Sequence, residues 1–419
     1  MVPIGTLKVK AMSVETAKRL KVLFLSECCV LDPNSGAAIS MLNWLHVLKA
    51  RGHSCYSVTM SLFDGQAEFP LRREIFPDLD VQASVGQRIR TVVQGIEHNI
   101  YNVGTSIGPK VPVDRVEGFM AAAAEDIRRI RPDVVIGYGT PNLVPLRRLA
   151  ADQGARTIFY LANASYGEDR KAALDAVDTF VVGSNAIGEY YRRLHGIDAW
   201  TVIPSRVRDY FRRPDLSREF LLARKRQGFV TMVNPSVAKG VGVFLQIANY
   251  TKPRFPNLTF LAVESRVTRQ EIEAEITNVN LLDNIWWVQR QRNMRSVYQR
   301  SALILVPSLT FEASSRVIAE AQRAGIPVLA TDVGGNSEQL NGGGFLFPRP
   351  ELGSDLRRLP GAGDVMPWVD KIAHLLGGDD KHYLAACRKG LEAGSRHDQA
   401  SVDRAIFQLV EQAPTRIAA

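Results

Sequence analysis

Short apolar runs alternate with amphipathic stretches along nearly the whole chain, and the series occurs twice. KVLFLS from Lys21, SCYSVTM from Ser54, DVVIGYG from Asp133, RTIFYLA from Arg156 and DTFVVGS from Asp178 are short and rich in β-branched or aromatic residues. Such runs predict strands buried on both faces. Stretches of helical period separate most of them, including one from about Gly36 to Arg51. Parallel strands need long crossovers, and helices laid over both faces supply them, so the pattern predicts a covered parallel sheet. WTVIP from Trp200 ends the first series, and the arginine-rich stretch Ser205 to Pro214 is expected to be a hinge. FVTMVN from Phe229, LTFLAV from Leu258, NIWWV from Asn284, ALILVP from Ala302 and IPVLAT from Ile326 then repeat the pattern. Helices are predicted between them over about Val241–Tyr250, Arg269–Thr277, Met294–Arg300 and Ser314–Ala324.

The expectation is an α/β protein with two similar domains facing across a cleft. Residues 1–19 are expected to form a tail, lacking the apolar core of an export signal. Residues 20–205 form the first domain, residues 206–395 the second, and residues 396–419 a last helix that crosses back to the first. The 63–112 segment, rich in Gly, Pro and Arg, breaks the rhythm and is expected to be an insertion with acceptor-side loops. Ligands of such sheets bind beyond the carboxyl ends of the strands, so two facing sheets can share one cleft for two substrates.

Composition narrows the class. The 419 residues suit two domains of roughly 200 residues each. No apolar run approaches the ~20 residues of a membrane span. Four cysteines, none in a CxxC pair, are no disulfide framework, and Cys28 and Cys29 are expected to pack in a buried strand. Seven scattered histidines carry no metal-ligand spacing, so no metal is expected. A reduced, cytoplasmic enzyme follows. The formal net charge of +9 favours anionic partners. The basic pairs Arg128-Arg129, Arg147-Arg148, Arg192-Arg193 and Arg212-Arg213 mostly fall at helix ends, where solvated faces and macrodipole complement account for them.

The stretch from Pro307 to Glu338, PSLTFEASSRVIAEAQRAGIPVLATDVGGNSE, carries the most chemistry. A strand ends at Pro307-Ser308, a loop delivers Glu312, and a helix starting near Ser314 carries Glu320. Glu312 and Glu320 lie eight residues apart and do not share a helical face as an (i, i+4) pair does. They could grip two parts of an elongated ligand. Taken alone, Glu312 could equally cap the helix start and Glu320 sit on a solvated face. A second stretch, VNPSVAKGVGVF from Val233, places Lys239 and Gly240 at a helix start, a suitable cradle for a diphosphate. Asp78-Leu79-Asp80 imitates a DxD metal motif but sits in an irregular segment after Pro77. Gly183-x4-Gly188 lacks the spacing of a dinucleotide loop.

The pattern P-S-x-x-x-E…E-A-x-x-x-G-x-P-V-x-A-x-x-x-G-G-x-x-E resembles the donor-binding signature of GT-B glycosyltransferases, most closely the retaining family 4. The resemblance implies two Rossmann-like domains, the first on the acceptor side and the second binding a nucleotide sugar. It implies that Glu320 bonds the ribose hydroxyls and Glu312 the donor sugar, with Ser314 and Ser315 presenting the helix amides. Lys239 and Gly240 would cradle the diphosphate. The family usually has an Arg where this chain has Asn234, and Arg316 is the candidate substitute. Gly36 and Ala37 match the glycine-rich loop that approaches the donor phosphates or the acceptor. Asn163 stands where many members carry a His, and Arg290 lies in the loop Gln289–Arg292 that often brackets the base. Glu338 and Ser184 match family positions expected to be structural.

The activity so implied is transfer of a hexosyl-type unit from a UDP- or GDP-linked donor to an acceptor hydroxyl, with retention and no cofactor. The departing phosphate oxygen would take the acceptor proton, with Lys239 and the helix amides stabilising the charge. The acceptor is a glycan, a lipid-linked glycan or a small molecule. Peripheral association with an anionic inner-membrane surface is expected, and nucleic acid is not. The alternatives are a nucleotide-sugar epimerase of the same fold and a nucleotide-sugar-binding protein without turnover.

Overall fold

The computed structural model describes residues 19–412 except 34, 65–75, 77–79, 81, 209–210, 212–215, 266, 277–282 and 292. Residues 1–18 of the expected tail, Arg212-Arg213, Asp78-Leu79 and the end of the 269–277 helix thus lie outside the described residues.

The first half runs β1 (Lys21–Cys28), α1 (Gly36–Ala50), β2 (Ser54–Leu62), β3 (Arg88–Val93), β4 (Ile96–Tyr101), α2 (Val113–Ile130), β5 (Val134–Gly137), α3 (Val144–Asp152), β6 (Arg156–Leu161), β7 (Thr179–Val182), α4 (Asn185–His195) and β8 (Thr201–Val202). Its eight-stranded sheet has the order β3-β4-β2-β1-β5-β6-β7-β8. The period-two rule is visible in β1. Val22 and Phe24 join Trp44 and Leu48 of α1 on one face, while Leu23 and Leu25 join Phe119 and Ile127 of α2 on the other. Both faces are covered, so an uninterrupted apolar run was the correct signal for this strand.

The second half continues with α5 (Arg218–Gln227), β9 (Phe229–Val233), α6 (Val241–Thr251), β10 (Phe260–Val263), α7 (Arg269–Glu275), β11 (Ile285–Val288), α8 (Met294–Gln299), β12 (Ser301–Val306), α9 (Arg316–Arg323), β13 (Val328–Thr331), α10 (Asn336–Leu340), β14 (Phe345–Phe347), α11 (Ala362–Ile372), α12 (Asp380–Gly394) and α13 (Gln399–Glu411). Its six strands order as β11-β10-β9-β12-β13-β14, all parallel. Leu303 and Leu305 of β12 face a core with Phe244 and Trp368, whereas Ile304 and Val306 face one with Ile318 of α9.

Three expectations are corrected. The 63–112 segment is not only an insertion of loops: β4 pairs parallel with β2, and β3 pairs antiparallel with β4. The strand signal was weak because β4 buries polar residues, such as His98, whose Nδ1 lies 2.8 Å from the Ser57 hydroxyl on the neighbouring strand. Cys28 is exposed at the end of β1, and only Cys29 of that pair is buried. Arg147 is no solvated helix residue, since its buried guanidinium donates to the carbonyls of Ala173 and Asp175 and lies 5.2 Å from the Phe159 ring centroid.

The last helix packs against the first sheet. Val402, Ile406, Leu409 and Val410 of α13 enter the same core as Val22 and Trp44. Its end is tied by Arg51 and His53, 3.0 and 3.1 Å from Glu411, and by Arg156 donating to the Leu409 carbonyl. The connection after β8 is tied to α13 as well, through Arg206 to Asp403 at 2.6 Å.

Candidate functional site

The carboxyl ends of β9 and β12 face the start of α1 across a cavity of about 860 Å³. Of the binding and catalytic candidates named from the sequence, all but Gly240 line it: Gly36, Ala37, Asn163, Asn234, Lys239, Arg290, Glu312, Ser314, Ser315, Arg316 and Glu320. Gly240 lies just behind, opening α6 at φ +80°. A β-carbon there would run into the Pro307 carbonyl oxygen, so glycine is required on steric as well as conformational grounds.

That close approach brings two loops together. Lys239 Nζ lies 2.5 Å from Glu312 Oε1, and the Ser308 hydroxyl donates to the same oxygen at 2.5 Å. Glu312 is 6% exposed, so a carboxylate is held in the cavity wall with a cation and a hydroxyl to satisfy it. Gly334 packs its α-carbon on the Glu312 backbone, and the Gly335 amide donates to the Glu312 carbonyl at 2.6 Å. The two glycines therefore fix the path of the Glu312 loop.

Glu320 has its own pair. Arg316 Nη2 lies 3.3 Å from its Oε1, one turn earlier on α9, and the Tyr298 hydroxyl donates to Oε2 at 2.9 Å. Glu320 is thus no solvated face residue. Arg316 also reaches the first domain, with Nη1 3.5 Å from the Ser40 hydroxyl and Cδ 3.6 Å from where a β-carbon on Gly36 would stand. A cation so placed at the start of α1 opposes the helix dipole, an arrangement that an anion between them would relieve. Burial pushes the Tyr160 phenol up, while the Arg316 charge and a hydrogen bond with Ser40 pull it down.

The helix carrying Glu320 starts at Arg316 with Ser315 as its N-cap residue, two residues later than expected, and Ser315 makes no side-chain cap bond. Ser314 instead bonds Gln339, 3.1 Å away, and its β-carbon sits where a side chain on Gly183 would fall. Asn163 is exposed at the cavity, and its Oδ1 accepts from the Ser165 amide and hydroxyl at 3.2 and 2.5 Å. Asn234 adopts φ +61°, in the left-handed region. Asn tolerates that conformation better than Arg, which gives a backbone reason for the residue found there. Arg290 lines the second-domain side, half-buried.

Tyr298, Ser308 and Ser40 were not singled out from the sequence. Ser308 belongs to the quoted P-S-x-x-x-E motif and could have been. Tyr298 and Ser40 lie 22 and 276 residues from their partners Glu320 and Arg316, and no local pattern marks them. Glu338 lies outside the cavity. Its carboxylate accepts from the Asn185 and Ala186 amides at 2.9 and 3.0 Å, capping α4 of the opposite domain. Ser184 donates to the Ala313 carbonyl beside it. Both make a seam between the domains.

Two cation–carboxylate pairs in one wall suit a ligand that carries both an anion and hydroxyls. The anion can take the cations while the hydroxyls donate to the carboxylates, so neither partner is left unmet. Among the described residues no group of His, Cys, Asp and Glu is arranged to hold a metal ion, and no helix is long and apolar enough to cross a membrane.

Comparison with known proteins agrees with this geometry. Residues 215–354 match the family described as glycosyl transferases group 1. Among solved structures, Anabaena Alr3699/HepE in complex with UDP-glucose is similar at a TM-score of 0.66 and 16% identity, covering 94% of this chain and 99% of that one. Sucrose-phosphate synthase from Thermosynechococcus elongatus gives a TM-score of 0.67 at 16% identity, covering 93% and 98%. A glycosyltransferase from Rickettsia africae ESF-5 gives 0.63 at 16% identity, covering 95% and 100%. No curated protein matches the sequence significantly. At these identities the structural likeness speaks for the fold, and the sequence match speaks for the second domain. The chain thus has the GT-B fold, and its residues 215–354 resemble the glycosyl transferases group 1 family.

Proposed function

We propose that the protein transfers a hexosyl unit from a nucleotide-diphosphate sugar to an acceptor hydroxyl, with retention of configuration as in family 4. The observation that carries this reading is the double pair, Lys239 with Glu312 and Arg316 with Glu320, on one wall of the cleft. In this reading Glu320 holds the ribose, Glu312 the donor sugar, and Lys239 with the α9 amides the diphosphate. Arg316, between Glu320 and the start of α1, supplies the second positive charge that Asn234 does not. Ser314, Ser315, Gly36, Ala37 and Gly240 let backbone approach the phosphates. Arg290 flanks the base and Asn163 reaches the sugar. UDP is the favoured nucleotide, since the HepE structure was solved with UDP-glucose.

Charge builds on the leaving phosphate as its bond to the sugar breaks. Fixed cations and helix amides already aimed at it stabilise that charge without reorganising. The departing oxygen then takes the proton of the incoming hydroxyl on the same face. Incubation with UDP- and GDP-sugars and an acceptor, followed by NMR of the product anomer, tests the reading. Retained configuration is expected; a wholly inverted product rejects the family 4 mechanism. Conversion of the donor to its epimer without acceptor would instead favour the epimerase reading.

A further inference from the structure

Glu312 is held from the opposite domain on both sides. The Phe311 ring before it lies against the Tyr190 ring of α4, with centroids 5.2 Å apart. The Ala313 carbonyl after it accepts from the Ser184 hydroxyl at the start of the same helix. The carbonyl of Glu312 itself accepts from the Gly335 amide. A β-carbon on Gly335 would stand 2.6 Å from Ser184 Oγ and 2.7 Å from the Ala313 oxygen. Three chain segments therefore meet without slack behind the Glu312 loop, and a shift of α4 is carried to it. α4 reaches the Asn163 loop as well, where the Tyr191 hydroxyl donates to the Asn163 carbonyl at 2.6 Å.

The cap of α4 departs from what its sequence offers. Ser184 occupies the N-cap position, where a serine ordinarily accepts from an amide of the first turn, yet it makes no such bond. Its hydroxyl is given to Ala313 instead. Glu338 of the second domain caps the helix in its place. It accepts from the Asn185 and Ala186 amides at 2.9 and 3.0 Å and from the Asn185 side chain at 3.2 Å. Parting the seam would strip that carboxylate from the free amides and positive end of α4. A Ser184 hydroxyl that rotates back to the Ala186 or Ile187 amide would offset the loss.

We propose that the start of α4 is an exchangeable latch. While the domains are together, Glu338 caps α4 and Ser184 positions the Glu312 loop; when they part, Ser184 caps α4 itself and releases that loop. Ser184 and Glu338 are positioning residues, since neither lines the cavity. The part given to Glu312 rests on the transferase reading, whereas the exchange of caps does not.

Titration calorimetry on the full-length protein compares UDP with UDP-glucose, UDP-galactose and UDP-N-acetylglucosamine. UDP reports the nucleotide, and the affinity ratio of each sugar to UDP isolates the part that Glu312 holds. Ser184→Ala should lower that ratio about fivefold for at least one sugar, the size of one hydrogen bond. Glu338→Ala should lower it equally, because Ser184 then turns to its own helix. The double variant should lose no more than either single one, since both act through the Ala313 bond. Partial loss of folded protein lowers the number of sites and leaves the ratio unchanged. Losses that add, or a ratio unchanged for every sugar, overturn the proposal. A crystal structure of Glu338→Ala reads the exchange directly: Ser184 Oγ is expected on the Ala186 or Ile187 amide. An Oγ still on the Ala313 carbonyl also overturns it. Failure of UDP to bind the unaltered protein rejects the transferase reading, and that crystal structure then decides the exchange of caps alone.

Discussion

Glu320 holds a cation with one oxygen and a phenol with the other, so its carboxylate is oriented before any ligand arrives. Such pre-orientation spares the ligand the entropy of fixing it. Glu320→Gln keeps the shape but loses the charge, and UDP affinity is expected to fall about tenfold, the size of one charge-assisted hydrogen bond, as measured by titration calorimetry. Lys239→Ala removes the cation nearest Glu312. Its turnover with a nucleotide sugar is expected to drop on the order of 100- to 1000-fold, as when a fixed donor to developing charge is deleted. Arg316→Ala should weaken UDP binding by roughly tenfold. Unchanged affinity and turnover in that variant would remove Arg316 from the phosphate site. Residue types at 239, 312 and 320 were legible in the sequence, because each belongs to a short motif that runs from a strand end into a helix. Their pairing was not, since Lys239 and Glu312 are 73 residues apart and only the pairing of β9 with β12 makes them neighbours.

At the scale of elements, two pieces join the halves. Glu338 beside α10 caps the start of α4, with a carboxylate at the positive end of the helix. α13 leaves the second domain and buries Ile406 without exposure in the core of the first. Ile406→Ala should cost about 2 to 5 kcal/mol of first-domain stability, the usual cost of truncating a buried Ile. Urea denaturation followed by tryptophan fluorescence, with Trp44 in that core, measures it. A loss near zero would mean that α13 is not part of that cooperative unit. The helix itself was predictable from its period. Its apolar face had to be covered by something, but periodicity does not say which sheet does so. The β3–β4 ribbon shows the opposite failure, where burial of His98 and Asn99 hid a strand from a reading based on apolar alternation.

For the molecule as a whole, the connection between the domains is held by His397, whose Nδ1 lies 2.9 Å from the Ser205 carbonyl. Burial first, and the charges of Arg396, Arg323 and Arg316 next, lower its pKa from 6.5 to about 4, against a partial rise from the Ser205 carbonyl. His98 is likewise lowered to about 4, by burial and then His46. Because the folded forms hold these protons less tightly than unfolded chain does, stability is full above about pH 6.5 and is lost as pH falls toward 4. Each group accounts for on the order of 3 kcal/mol across that window. Thermal melts should therefore fall steeply from pH 6.5 to 4, and His397→Gln, which keeps a donor for the Ser205 carbonyl, should roughly halve the slope. An unchanged slope would exclude His397 as a source of it.

The sequence by itself determined the two covered sheets, the order of their strands along the chain and the side chains of the second-domain wall of the cleft. Those follow from periodicity and from residue types at strand ends, which are local properties. Only the tertiary structure decided which cation meets which carboxylate and which core α13 completes. Each of these depends on residues distant in sequence meeting in space.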